Sequence, residues 1–250
     1  MNPEQKTIFK SFIPPIIFVA ALWIIKFMEI GFDISFADYG VFPRHAEGLI
    51  GIITAPLIHA DFEHLTSNSI PMLVLGAALI YFYKEIAYKV FILSYLLSGF
   101  WLWIIGRENY HIGASGVLYG LVTFLFFSGV LRKHTGLMAL SLLVVFLYGG
   151  LVWGIFPLFK VISWESHLCG SLAGILLAFF YRKEGPQRKV YEWELEGESD
   201  GEYENGKVGE GEIENENMQN EISPEEKEQV KINYIYKKEN PKNGKDELSD

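Results

Sequence analysis

Residues 113–131 read GASGVLYGLVTFLFFSGVL, an apolar segment whose first turn contains a serine, Ser115, next to glycines. About fifty residues later, His167 stands at the start of another apolar segment. An unpaired polar group in hydrocarbon costs several kcal/mol, so a polar residue kept within a membrane span is a functional candidate. A hydroxyl and an imidazole are the two parts of a nucleophile–base pair. The combination predicts a membrane protein whose chemistry lies at the starts of two helices.

The charge distribution divides the chain into two unlike pieces. Residues 1–182 carry 11 Lys and Arg against 10 Asp and Glu, whereas residues 183–250 carry 10 against 20. We therefore predict a membrane-embedded domain over 1–182 and an acidic, disordered tail over 183–250. The single cysteine, Cys169, excludes an intrachain disulfide and is expected to be a small buried hydrophobe. No basic patch stands beside an aromatic platform, so a nucleic-acid partner is not expected.

Six segments are apolar enough to cross a membrane, which takes about 20 residues. They lie at about residues 12–30, 65–83, 90–106, 115–131, 137–159 and 166–181. Pro14 and Pro15 are expected in the first turn of the first helix, where a missing N–H costs little. The sequence thus predicts an all-α membrane protein of six transmembrane helices.

Basic residues in the short connections give the orientation of these spans. One side has the larger set: Lys6, Lys10, Lys84, Lys89, Arg132, Lys133, Arg182 and Lys183. The other side has only Arg44, Arg107 and Lys160. Because cytoplasmic loops carry the excess of Lys and Arg, both termini are predicted to be cytoplasmic. The stretch 32–62 is then a long outer loop, and its apolar content favours packing on or into the membrane surface.

Three polar clusters are predicted to meet near the outer face. The spans at 65–83, 115–131 and 166–181 run in one direction, so their first turns lie at similar depth. These turns hold His64 and Asn68 on the first span, Ser115 and Tyr119 on the second, and His167 on the third. Residues four apart share a helix face, so each pair points the same way.

Glycines at helical spacing accompany these residues. Gly116 and Gly120 form a stripe beside the serine, and Gly170 and Gly174 continue the face of His167. Small residues at this spacing let membrane helices pack closely. Either stripe alone would indicate ordinary helix packing, but their coincidence with the serine and the histidine favours a built site.

The chain resembles the rhomboid family of intramembrane serine proteases. The resemblance rests on three motifs: His64-x-x-x-Asn68, Gly113-Ala114-Ser115-Gly116 followed by Tyr119, and His167-x-x-Gly170-x-x-x-Gly174. It covers about residues 12–182 and implies a six-helix bundle with a long outer loop after the first helix. Gly-x-Ser-Gly alone is a weak signal, whereas the three motifs together are specific.

The resemblance implies a role for each matching residue. Ser115 would be the nucleophile, His167 the general base and then the general acid, and Tyr119 the aromatic ring stacked on the imidazole. The oxyanion hole would consist of His64, Asn68 and the backbone N–H of Ser115, with Gly113 helping to shape it. A helix N-terminus favours developing negative charge, which agrees with the position of Ser115.

The outer loop departs from the family pattern. Rhomboids often have a Trp-Arg pair there, but this chain reads Gly51-Ile52-Ile53, so the anchoring of the loop is open. His59 is expected to brace the loop by hydrogen bonding.

The remaining histidines give weaker signals. His45 and His134 are expected to face solvent, and His111 either lines the entrance to the site or is exposed. The spacing of His59 and His64 is poor for one helix face, and no His-Glu-x-x-His occurs, so neither a metal nor a cofactor is expected.

Three functions remain to be weighed. The first is a protease that cleaves membrane proteins in or near their spans, with membrane-protein substrates and lipids as partners, in a bacterial cytoplasmic membrane with its site open to the outer side. The second is a rhomboid-like protein that binds spans without cleaving them. The third is an unrelated six-span transporter, which would place its polar residues at the midplane and show internal repeats. The nucleophile, the base and their position at one end favour the protease.

Overall fold

The computed structural model describes residues 1–147, 156 and 163–185, and these contain seven α-helices. We number them α1 (Pro3–Phe32), α2 (Gly51–Thr54), α3 (Phe62–Phe82), α4 (Ala87–Ile105), α5 (Ser115–Leu131), α6 (Thr135–Leu147) and α7 (Trp164–Phe180). Three short 3₁₀ helices, Ala37–Tyr39, Ala46–Leu49 and Ala55–Leu57, lie between α1 and α3. The described residues form no β-strand, so the expected all-α class is what the structure shows.

Several helices have the length and composition of membrane spans. Three of them, α1, α3 and α4, are long and apolar enough to cross a bilayer, while α5, α6 and α7 are apolar but shorter. The predicted segment 115–131 coincides with α5, and the ends of α3, α4 and α7 fall within three residues of prediction. The predicted fifth span continues beyond α6 into 148–159, which, apart from residue 156, lies outside the described residues, as does the tail from 186 onward.

The first helix begins earlier than predicted. Asn2 caps it, because its side chain accepts from the backbone N–H of Gln5 and the Gln5 side chain accepts from the backbone N–H of Asn2. This capping box recruits polar residues before the apolar run into the helix. The expectation that Pro14 and Pro15 occupy the first turn is therefore wrong, since both lie inside α1. Pro15 is buried and packs against Gly76 of α3, where an added Cβ would lie 2.9 Å from the proline Cβ.

Helix α5 is the centre of the bundle. It contacts α3, α4, α6 and α7, and its buried side chains lie on every side of the helix. A helix that is hydrophobic all round is typical of such a central position. Four of its apolar side chains are at most 1% exposed: Leu118, Leu121, Phe124 and Leu125. Because Ser115 is the first residue of α5, it belongs to the central helix of the bundle.

At the opposite end of α5, Arg132 joins three helix ends. It is 5% exposed and lies 5.4 Å from the ring centroid of Tyr83, which follows α3. Its guanidinium donates to the backbone carbonyls of Tyr181 and Glu184 after α7. A cation suits these carbonyls because helix C-termini carry partial negative charge. A buried arginine thus connects the ends of α3, α5 and α7 on the side predicted to be cytoplasmic.

Candidate active site

The serine and the histidine face each other across the contact between α5 and α7. Ser115 is the first residue of α5, and His167 is in the first turn of α7. The distance from His167 Nε2 to Ser115 Oγ is 2.8 Å, and His167 is only 7% exposed. A hydrogen bond of this length is the geometry by which a base activates a hydroxyl nucleophile.

Tyr119 fixes the plane of the imidazole. It lies one turn after Ser115, and its ring stacks on that of His167 with centroids 4.2 Å apart and planes 12° apart. The hydroxyl contact and the stacking contact together restrict both the position and the tilt of the imidazole.

Glycines let the two helices approach closely. A Cβ built on Gly170 would lie 1.9 Å from the carbonyl oxygen of Gly116, and one built on Gly174 would lie 2.1 Å from that of Gly120. Neither distance leaves room for a methyl group, so the backbones are in direct contact. Thr123 on α5 also donates its hydroxyl to the carbonyl of Ser171 on α7 at 3.0 Å.

His64 lies beside the turn that precedes Ser115. Asp61 caps α3 by accepting from the backbone N–H of His64 at 2.7 Å, which starts the helix at this point. Gly113 has a φ of +110°, and a Cβ there would lie 2.5 Å from His64 Cε1. Two features therefore require a glycine at position 113: the positive φ of its backbone and the His64 ring packed against it.

Asn68 lies one turn below His64 and is 3% exposed. Its side-chain N–H donates to the carbonyl of His64 at 3.0 Å, so the two predicted oxyanion residues are bonded to one another within α3. The first N–H groups of α5 have no acceptor within their own helix.

His59 joins the outer loop to the turn before Ser115. The backbone N–H of Ala114 donates to His59 Nε2 at 3.4 Å, and the rings of His59 and His64 meet edge to face at 4.9 Å. His59 is 2% exposed, and burial lowers its pKa to about 3. The imidazole is therefore neutral at physiological pH, as an acceptor must be.

An ion pair on α1, between the half-buried Lys26 and the buried Glu29, holds the backbone that carries His59. Lys26 donates to the carboxylate of Glu29 at 3.1 Å and to the carbonyls of His59 and Ala60 at 3.0 and 2.9 Å. The other oxygen of Glu29 accepts from the backbone N–H of Phe36 at 2.8 Å. This role could not be predicted from the sequence, because a lysine and a glutamate near the end of a span resemble ordinary flanking charges.

Contacts other than a Trp-Arg pair anchor the rest of the outer loop. Arg44 donates to the carbonyl of Gly106 at 2.6 Å, and the Tyr95 hydroxyl donates to the carbonyl of Ile53. The backbone of Gly113 donates to the carbonyl of Ala55 at 2.9 Å. The loop thus reaches both the end of α4 and the turn before Ser115.

The remaining histidines and the cysteine have varied surroundings. His45 is exposed and Cys169 is fully buried, both as expected. His134 is half-buried with its ring 5.6 Å from that of Phe82, so the expectation that it faces solvent is wrong; the turn after α5 folds back onto α3. His111, for which the sequence left two alternatives, is only 4% exposed and bonded to Ser163.

Comparison with known proteins gives one family. Residues 46–184 match the family model described as Rhomboid domain. An uncharacterized protein of Mycobacterium tuberculosis is 34% identical over 187 residues, which is 69% of this chain and 75% of that protein. An uncharacterized Mycobacterium leprae protein is 30% identical over 182 residues, covering 69% and 71%. A protein of Acanthamoeba polyphaga mimivirus, provisionally named a rhomboid protein, is 30% identical over 163 residues, covering 59% and 84%.

Proposed function

Because the chain belongs to the rhomboid family, we propose that it is an intramembrane serine endopeptidase that hydrolyses peptide bonds in or near the spans of other membrane proteins. The observation that supports this most directly is the 2.8 Å contact between Ser115 Oγ and His167 Nε2 in a buried site. The stacked Tyr119 adds the orientation that a base needs, because proton transfer depends on geometry before it depends on pKa.

In this mechanism the two residues exchange one proton. His167 Nε2 takes the proton from Ser115 Oγ as the oxygen attacks the scissile carbonyl carbon. The imidazolium then gives the proton to the leaving amine, and an acyl group remains on the serine. A water molecule, deprotonated by the same imidazole, hydrolyses this ester and regenerates Ser115.

The oxyanion of each tetrahedral intermediate would form beside the start of α5. The backbone N–H of Ser115 and the side chains of His64 and Asn68 are the proposed donors, and Gly113 allows the His64 ring to approach. Donors and dipoles fixed in advance stabilise charge that develops only in the transition state. The free N–H groups at the N-terminus of α5 add to this field.

The orientation in the membrane is part of the proposal. Six helices within 1–182 would cross the bilayer, with both termini in the cytoplasm and the site open to the outer side of a bacterial cytoplasmic membrane. The acidic segment 183–250 would be a cytoplasmic tail.

The proposal is tested with purified protein in detergent and a model single-span substrate. Ser115→Ala and His167→Ala should each abolish cleavage, and Ser115→Ala should also abolish labelling by a fluorophosphonate. Ser141→Ala is the matched control, because Ser141 is a buried helix serine whose hydroxyl only donates to the carbonyl of Leu137 on its own helix, at 3.0 Å. Cleavage by purified Ser115→Ala at the parent rate would refute the proposal. A parent chain that binds the substrate without cleaving it or taking the label would instead be a non-catalytic relative.

A further inference from the structure

Four residues before each member of the Ser115–His167 pair lies a second pair in contact. His111 Nδ1 is 2.6 Å from Ser163 Oγ, and the two pairs have the same separation of 52 residues along the chain. His111 is on the turn that leads to the nucleophile, and Ser163 is the residue that caps α7. The two segments run in parallel, so the His111–Ser163 contact repeats the Ser115–His167 contact four residues earlier in each segment, nearer the outer side.

The hydrogen-bond partners of His111 determine which of its two ring nitrogens carries the hydrogen. The Nε2 atom is 3.0 Å from the carbonyl oxygen of Arg107, which can only accept, so Nε2 carries the hydrogen. The Nδ1 atom of the neutral ring must then accept from the Ser163 hydroxyl. The Ser163 oxygen in turn accepts from the backbone N–H of Ser166, at 3.4 Å. Burial lowers the pKa of His111, which favours this neutral form.

His111 is itself held from several sides. Its backbone exchanges two hydrogen bonds of 2.9 Å with Val41 of the outer loop. Close by, Arg107 Nε lies 3.4 Å from a carboxylate oxygen of Glu165, which ties the same turn to α7 a second time. A ring fixed in this way can define the position of the helix it contacts.

We propose that His111 and Ser163 are a positioning pair, which holds the first turn of α7 in register with the nucleophile turn so that His167 Nε2 stays within reach of Ser115 Oγ. The inference rests on the proposed protease function. Tyr119 sets the tilt of the imidazole, whereas the His111–Ser163 contact sets the position of the helix that carries it. Neither residue touches the reacting atoms, but a misplacement of about 1 Å can lower a rate about 100-fold.

The experiment must separate this role from simple capping of α7. Ser163→Gly removes the hydroxyl, yet glycine is nearly as good a cap as serine. Ser163→Thr retains the hydroxyl and is the conservative control. His111→Leu removes the partner, and the double variant His111→Leu/Ser163→Gly measures whether the two residues act together.

For each variant, kcat and KM for the single-span substrate and the rate of fluorophosphonate labelling are measured on folded, monodisperse protein. We expect Ser163→Gly to lower kcat and the labelling rate about 10- to 100-fold with KM within about twofold, and Ser163→Thr to restore most of the loss. The double variant should be no slower than the slower single variant.

Several results would overturn the inference. They are a Ser163→Gly enzyme whose kcat is within twofold of the parent, a Ser163→Thr enzyme as slow as Ser163→Gly, or single effects that multiply in the double variant. If Ser163→Gly or His111→Leu does not fold, Ser163→Ala and His111→Gln are measured by the same criteria. Failure of the proposed function is recognised separately, because a parent chain lacking Ser115-dependent turnover and labelling would show it before any of these variants is compared.

Discussion

Replacing Gly170 with alanine places a methyl carbon 1.9 Å from the carbonyl oxygen of Gly116, one residue after the proposed nucleophile, Ser115. Side-chain carbons essentially never approach closer than 3.0 Å, and the obstacle is backbone of a central helix. The two helices must therefore separate by about 1 Å or more, since neither backbone can rotate away. The Ser115–His167 distance of 2.8 Å would then grow to about 4 Å, beyond the range of a hydrogen bond.

The expected cost has a catalytic part and a stability part. A displacement of about 1 Å at the reacting atoms lowers kcat about 100-fold. Overpacking of a core costs about 1–3 kcal/mol, partly offset by about 0.4–1 kcal/mol because alanine restricts the unfolded chain. Gly170→Ala should thus lower both kcat and the melting temperature, and the loss of activity should persist at temperatures where the variant is fully folded.

The assay is cleavage of a single-span substrate in detergent, with the rate of fluorophosphonate labelling as a direct measure of Ser115 reactivity. Gly31→Ala is the matched control, because Gly31 lies in α1 and a Cβ there meets nothing within 4 Å. That variant should keep full activity and melt at the parent temperature or slightly above. A Gly170→Ala enzyme with parental kcat would mean that the close approach of α5 and α7 does not hold the dyad together.

Three further predictions follow from the surroundings of the site. Asn68→Ala should lower kcat about 10²–10³-fold if Asn68 is an oxyanion donor. Ser67→Ala is the control, because the Ser67 hydroxyl also donates to the carbonyl of His64, at 2.8 Å. An equal loss of kcat in both variants would mean that the lost hydrogen bond to this carbonyl, and not an oxyanion contact, causes the effect. Lys26→Met should lower the melting temperature and kcat, because it leaves the buried Glu29 carboxylate without its cation, at a typical cost of about 3–5 kcal/mol. The double variant Lys26→Met/Glu29→Gln should recover part of the melting temperature. A double variant that melts at the same temperature as Lys26→Met would contradict the reasoning. Because the folded protein keeps the pKa of His59 at about 3, the unfolded chain alone binds a proton below about pH 6.5, so stability should fall as the pH drops from 6.5 towards 3. The melting temperature of His59→Gln should fall less than that of the parent over this pH range. An equal fall in both proteins would mean that His59 does not contribute to the pH dependence.

Local signals were enough to predict α3, α4, α5 and α7 to within three residues and to select the candidate site residues. The bounds of α5 were predicted because a glycine-rich turn precedes Ser115 and charged residues follow Leu131. The start of α1 was missed for an equally local reason: the capping box at Asn2 makes a helix of residues that do not look like a membrane span. Glycine spacing indicated which faces of α5 and α7 were suited to close contact, because periodicity depends only on the helix repeat.

The tertiary structure decided which of those residues meet and what holds them. The 2.8 Å distance between Ser115 and His167 joins atoms 52 residues apart, so it depends on the packing of two helices rather than on either sequence segment. The same is true of Lys26, which resembles a flanking charge until the fold brings the carbonyls of His59 and Ala60 to its ammonium group. The burial of His111 likewise follows from the outer loop and α7 closing around it. A sequence specifies which side chains are available, but burial and hydrogen-bond partners are properties of segments distant in the chain, and only the folded arrangement brings these segments together.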